Sequence, residues 1–94
     1  MFDEMSFSGR KVLITAGADG LGLEMARSFH RAGATVMVCD VNAARLGALP
    51  QELPGVRTAV ADVSDEDSVA ALFAQVQSQL GGLDVLVNNA GVAG

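Results

Sequence analysis

The sequence predicts an α/β fold, a doubly wound parallel sheet. Two observations carry this. Short apolar runs of strand type alternate with longer segments whose apolar residues recur at helical spacing. The connections between them are short, which suits parallel strands joined by right-handed helical crossovers. The composition agrees: 50% of the 94 residues are apolar, 18% are charged, and eleven glycines stand against two prolines. That is a folded rather than a disordered chain with many tight turns.

Residues 1 to 9 form a lead-in ending in the turn Ser8-Gly9. Val12 to Thr15 is the first strand, apolar on both faces as a strand covered on both sides must be. It runs into Thr15-Ala16-Gly17-Ala18-Asp19-Gly20-Leu21-Gly22. A helix from Leu21 to Ala32 follows, with Gly22, Met25, Ala26, Phe29 and Ala32 as its inward stripe and Gly33 as a left-handed stop. Thr35 to Cys39 is the second strand and ends in Asp40. Asn42 caps a short helix carrying Leu46 and Leu49, which Pro50 and Pro54 close. A weaker third strand, Val56 to Ala61, ends at Asp62. Ser64 caps the next helix, in which Asp65, Glu66 and Asp67 meet the positive end of the dipole. Its stripe is Val69, Leu72, Phe73, Val76 and Leu80, and Gly81-Gly82 ends it. The fourth strand, Val85 to Val87, runs into Asn88-Asn89-Ala90-Gly91. The strand order expected for this arrangement is 3-2-1-4, with a ligand crevice at the carboxyl ends of strands 1 and 4, where the winding reverses.

The candidate functional residues all fall at carboxyl ends of strands. A strand, a glycine turn and a helix start together offer bare backbone N–H groups and a dipole to a pyrophosphate. Asp40 lies 18 residues beyond Gly22, close to the roughly 20-residue offset of an acid that bonds a ribose 2′-hydroxyl. Asp40 would accept from ribose hydroxyls and repel a 2′-phosphate. Asp19 adds a second negative charge, and no arginine or lysine stands beside either acid, so NAD is favoured over NADP.

Several classes are excluded. The net charge of -5 argues against a nucleic-acid partner. No apolar run has the length of a membrane span. The acidic start Met1-Phe2-Asp3-Glu4-Met5 is unlike a signal peptide. With the single Cys39, these points favour the cytoplasm. His30 reads as a solvated or loosely packed side chain and Cys39 as a small core residue. Asp65-Glu66-Asp67 is better explained by the helix N-terminus than by a metal, and no metal site is expected.

The glycine turn at 15–22, Asp62-Val63 and Asn88-Asn89-Ala90-Gly91 together resemble the signatures of the classical short-chain dehydrogenases/reductases, whose cofactor turn reads TGxxxGxG and whose fourth strand ends in NNAG. The resemblance runs in order along essentially the whole chain. It implies a Rossmann-like dinucleotide-binding domain of which 1–94 is the N-terminal, incomplete part. It implies NAD-dependent hydride transfer between nicotinamide and an alcohol or carbonyl substrate, in a homo-oligomer. By position, Thr15, Gly20, Leu21 and Gly22 would wrap the pyrophosphate and adenosine side, and Asp40 would take the ribose. Asp62 through its side chain and Val63 through its backbone would contact adenine. Asn88, Asn89, Ala90 and Gly91 would pass beneath the cofactor. The sequence departs from the pattern at Ala16, which stands where the family has its first glycine; Gly17 takes over part of that role. The family's catalytic serine and Tyr-x-x-x-Lys fall outside the chain, which has no tyrosine and a single lysine, Lys11. No catalytic residue is therefore assigned, and the 94 residues alone are expected to be inactive. Two other readings stay open: a non-catalytic module binding NAD or an adenine nucleotide, and a structural piece associating through the open edge of strand 4.

Overall fold

The computed structural model describes residues 6–89. Four parallel strands alternate with three helices: β1 Lys11–Thr15, α1 Gly20–Arg31, β2 Thr35–Asp40, α2 Ala43–Glu52, β3 Arg57–Val60, α3 Glu66–Leu80 and β4 Val85–Asn88. The sheet order is β3-β2-β1-β4, as the sequence predicts. Val12 sits opposite Val36 on β2 and opposite Val85 on β4, so β1 is the central strand from which the two halves wind apart.

Burial explains why β1 is central. Val12, Leu13 and Ile14 are fully buried, and each contributes about 1.5–3 kcal/mol of transfer free energy. Alternation sends them to opposite faces. Val12 and Ile14 join Val36 and Val38 under Ala26 and Phe29 of α1 and Leu46 and Leu49 of α2. Leu13 joins Met37, Cys39 and Ala59 under Leu72, Val76 and Leu80 of α3. The two layers make the sheet doubly wound. At its lower end β4 is pinned to β1 by a reciprocal pair: Lys11 N–H donates to Asp84 Oδ2, and Asp84 N–H donates to Lys11 O, both at 2.8 Å. His30 is not loose, since its Nε2 lies 2.9 Å from Pro54 O and ties α1 to the turn after α2.

Three local expectations are corrected. Asp65, not Ser64, caps α3: its carboxylate accepts from Ser68 N–H at 3.3 Å. Ser64 lies one residue before the cap, and its hydroxyl donates to Asp62 Oδ1 at 2.6 Å. Pro50 does not close α2 but lies inside it. It forfeits the bond its missing N–H would make and sets its ring against the preceding turn, yet the last turn still closes with Leu53 N–H on Leu49 O at 2.8 Å. Phe73 leaves the buried stripe and is 42% exposed. It lines an apolar groove with Val63, Val69 and Leu86 beside edge strand β4. Leu86, on that edge, is also exposed, as an open fourth strand requires. Among the described residues, no helix is long and apolar enough to cross a membrane.

Candidate functional site

The site is built where β1 meets α1. At two places in the turn after Thr15 the packing leaves no room for a side chain. A Cβ on Gly17 would lie 2.7 Å from Val38 Cγ1. A Cβ on Gly22 would collide with the Ala16 carbonyl oxygen and lie 2.8 Å from Gly17 Cα and 2.9 Å from Asn89 Nδ2. The helix start can therefore press onto the turn only as glycine. Ala16, at the family's first glycine position, adopts φ +52°, a left-handed conformation costly for an L-residue. Gly17 does not take over that left-handed role: the positive φ stays at residue 16, and what Gly17 supplies is clearance against β2.

The helix start presents the expected donors. The ladder of α1 begins with Leu23 N–H on Asp19 O at 3.2 Å, so the amides of Gly20, Leu21 and Gly22 precede it. Asp19 is the N-cap, and its Oδ1 accepts from Gly20 N–H at 2.8 Å. The Leu21 and Gly22 amides lie in the first turn of α1, at the positive end of its dipole. The Leu21 side chain is exposed beside them.

Asp40 ends β2 and bridges to this turn. Its Oδ2 accepts from Ala18 N–H and its Oδ1 from Asn42 N–H, both at 3.2 Å. Two backbone donors thus fix the carboxylate's direction, and each oxygen keeps a lone pair for another donor. Asp40 lines an open crevice of about 240 Å³ with Ala16, Cys39, Asp62, Val63 and Ser64. That is less than the roughly 300 Å³ at which whole small-molecule pockets begin, and it suits one end of an extended ligand. The crevice lies over the carboxyl ends of β1, β2 and β3. Cys39 belongs to its floor, and burial pushes its thiol pKa up, which suits a packed rather than a reactive sulfur.

On the far side, Asp62 is held by Ser64. Ser64 N–H and hydroxyl both donate to Asp62 Oδ1, at 2.9 and 2.6 Å. Hydrogen bonds from the Ser64 hydroxyl, then from its amide, hold the Asp62 carboxyl below its usual pKa. On the near side, the ends of β1 and β4 are tied through Thr15. Its buried hydroxyl donates to Asn88 Oδ1 at 3.1 Å and accepts from Asn89 N–H at 2.9 Å. Asn89 Nδ2 donates to Ala16 O at 3.3 Å, so the asparagine pair braces the glycine turn from below. Ala90 and Gly91 lie outside the described residues. No group of three or more metal-ligating side chains occurs among the described residues.

One electrostatic reading from sequence is overturned. Asp19 is not without a cation: Arg45 Nη1, on the first turn of α2, stands 3.3 Å from its Oδ2. The two residues are 26 positions apart and meet only because β2 and α2 fold back over the turn, so no local pattern announces the pair. The Asp62–Ser64 contact, by contrast, follows from the local Asp-x-Ser spacing, a recurring turn motif.

These features sit in a known architecture. The family model of the short chain dehydrogenases matches residues 10–94. The chain belongs to the short-chain dehydrogenase family. It is 46% identical over 89 residues to a short chain dehydrogenase/reductase of Colletotrichum higginsianum, covering 90% of this chain and 33% of that protein. It is 39% identical over 85 residues to an L-fucose dehydrogenase of Bos taurus, covering 90% of this chain and 32% of that protein. A crystal structure of a short chain dehydrogenase from Mycobacterium smegmatis superposes with a TM-score of 0.87 at 36% identity, over 95% of this chain and 39% of that one. A hydroxysteroid dehydrogenase from Escherichia coli superposes with a TM-score of 0.86 at 32% identity, over 94% of this chain and 38% of that one. The chain spans about a third of the length of these short-chain dehydrogenases.

Proposed function

We propose that residues 1–94 are the N-terminal, dinucleotide-binding part of an NAD-dependent short-chain dehydrogenase/reductase. The reaction is hydride transfer between nicotinamide and a small alcohol or carbonyl substrate. When bound, NAD supplies the hydride-carrying ring; the chain supplies binding and orientation. The residues fit that role. The Leu21 and Gly22 amides receive the diphosphate at the start of α1, which glycine at 22 lets press closely onto the turn. Asp40 receives the adenosine ribose hydroxyls. Asp62 and the Val63 backbone flank the adenine end of the crevice. Asn88 and Asn89 hold the floor on which Thr15 and the turn rest, and Ala90 and Gly91 are assigned to the cofactor by the family motif alone. Proton transfer belongs to the family's serine and Tyr-x-x-x-Lys, so these 94 residues alone are inactive. The exposed apolar edge around Phe73 and Leu86 fits completion by further chain and assembly into a homo-oligomer. A lone buried Cys39 fits the cytoplasm.

The observation that carries this reading is Asp40, lining the crevice while bonded to the glycine turn. Calorimetric titration of the intact protein with NAD and NADP tests it. NAD binds more tightly than NADP. Asp40→Ala weakens NAD binding by about tenfold or more, the loss of a charge-assisted hydrogen bond of about 1.5–3 kcal/mol. Unchanged NAD affinity with no gain for NADP refutes the assignment.

A further inference from the structure

The three helices carry Asp or Asn caps that close in two different ways. Asn42 and Asp65 each accept from the amide three residues on, Arg45 N–H and Ser68 N–H, as caps ordinarily do. Asp19 instead accepts from its own neighbour: Gly20 N–H donates to its Oδ1 at 2.8 Å. That contact folds the carboxyl back over the peptide bond it precedes. Its Cγ, one bond from Oδ1, stands next to the Gly20 nitrogen, while Oδ2 is paired with Arg45 Nη1 at 3.3 Å. Residue 20 has no side chain to shield that nitrogen, and the Asp19 side chain is 64% exposed, so water reaches both. Asp19-Gly20 is the only Asp-Gly step in the sequence, and Asn-Gly does not occur. Asp40, Asp62 and Asp84 are each followed by a branched valine, and Asp67 lies within α3.

We propose that Asp19-Gly20 is a site of spontaneous covalent modification, converted through a succinimide to isoaspartate, and that the change disables the glycine turn. In the first step the Gly20 nitrogen attacks Asp19 Cγ. An N–C bond forms, a C–O bond breaks, and the carboxyl hydroxyl leaves with the amide proton as water. The product is a five-membered cyclic imide. Water then opens either of its carbonyl–nitrogen bonds. Attack at Cγ restores aspartate. Attack at the Asp19 main-chain carbonyl leaves isoaspartate, in which the chain runs through Cβ and Cγ. One water is lost and one regained, so the mass is unchanged and nothing is oxidised or reduced. The fold contributes proximity, because holding the two groups together removes the entropy of bringing them there. The main chain is then one atom longer between residues 19 and 20. The turn has no slack to absorb that atom, since a Cβ on Gly22 would already lie 2.8 Å from Gly17 Cα. The start of α1 is displaced, and the Leu21 and Gly22 amides with it. This consequence, unlike the modification itself, rests on the reading of the turn as the diphosphate site.

The test compares freshly purified intact protein with the same protein held for weeks at neutral pH and physiological temperature. Trypsin releases Val12 to Arg27 as one peptide. Expected is a second form of this peptide, of unchanged mass, that accepts a methyl group from a protein isoaspartate methyltransferase. It grows with time at Asp19 and is absent at Asp67. The fraction of protein that binds NAD in calorimetry falls in step with it. Asp19→Asn keeps a capping residue and loses ammonia in the same ring closure, so its peptide gains the mass difference between an amide and an acid. Asp19→Ser also caps but cannot close the ring, so its NAD-binding fraction does not fall on storage. A wild-type peptide that stays a single species, or an Asp19→Asn protein that keeps its amide, overturns the proposal. Isoaspartate at residue 19 without loss of NAD binding overturns its consequence for the turn. A fresh protein that binds no NAD overturns instead the cofactor reading, and the modification is then decided by the peptide alone.

Discussion

Replacing Gly22 by alanine is the sharpest probe of the glycine turn, because two known effects push stability in opposite directions. In an unobstructed helix the change is favourable by about 1 kcal/mol, since alanine loses less backbone entropy. Here the new methyl would overlap the Ala16 carbonyl oxygen and lie 2.8 Å from Gly17 Cα and 2.9 Å from Asn89 Nδ2. Two of these three neighbours are backbone. The turn that carries them is held by Gly17 N–H on Cys39 O and by Asn89 Nδ2 on Ala16 O, both at 3.3 Å. Neither can swing aside as a flexible side chain would. Relief requires α1 to lift off the end of β1, an overpacking cost of about 1–3 kcal/mol, to which the loss of those two tethers adds. The expected net effect is a destabilisation of about 1–3 kcal/mol, read as a lower midpoint in urea. The lift also moves the Leu21 and Gly22 amides, so NAD affinity falls at least tenfold. Gly20→Ala is the control: φ is +56° there, but a Cβ meets nothing within 4 Å, so only conformational strain of about 1 kcal/mol is added. A Gly22→Ala protein that is more stable than wild type and binds NAD equally well would refute the close-approach argument.

Three further outcomes follow from the same geometry. Ala16→Gly relieves a left-handed strain of about 1–2 kcal/mol and loosens the unfolded chain by about 0.4–1 kcal/mol, so stability holds or rises by up to about 1.6 kcal/mol, read as an unchanged or higher urea midpoint; a clear fall would show that residue 16 is not left-handed. Thr15→Val keeps the shape but leaves Asn89 N–H and Asn88 Oδ1 without their buried partner, costing about 1–3 kcal/mol; hydrogen exchange at the end of β4 should quicken, and unaltered protection would count against this tie. Ser64→Ala removes the bond that does most to lower the Asp62 pKa. Because the folded-state pKa is depressed, the Asp62 contribution is complete above the ordinary carboxylate range and is lost as pH falls through the lowered value. Carboxyl NMR titration should therefore show Asp62 titrating at higher pH in the variant, with the acid limb of stability flattened.

The sequence by itself determined the architecture. Apolar runs at Val12–Ile14 and Val36–Cys39 and the helical stripe at Ala26 and Phe29 repeat with two different periods, and period alone decides strand or helix and which face is buried. The glycine turn, Asp40 and Asn88-Asn89 were legible because chain order places them at strand ends, which in a parallel sheet share one edge. Local spacing did not decide between competing partners. Ser64 read as the cap of α3, yet the fold puts Asp65 in that place and turns the Ser64 hydroxyl to Asp62. Pro50 read as a stop, yet α2 runs past it to Glu52, where the buried Leu49 and Leu53 anchor its last turn on the core. The left-handed φ of Ala16 and the meeting of Arg45 with Asp19 belonged to the tertiary structure alone. Both arise from the way α1 and α2 close over the sheet, and that closure brings together residues whose relation has no period in the chain.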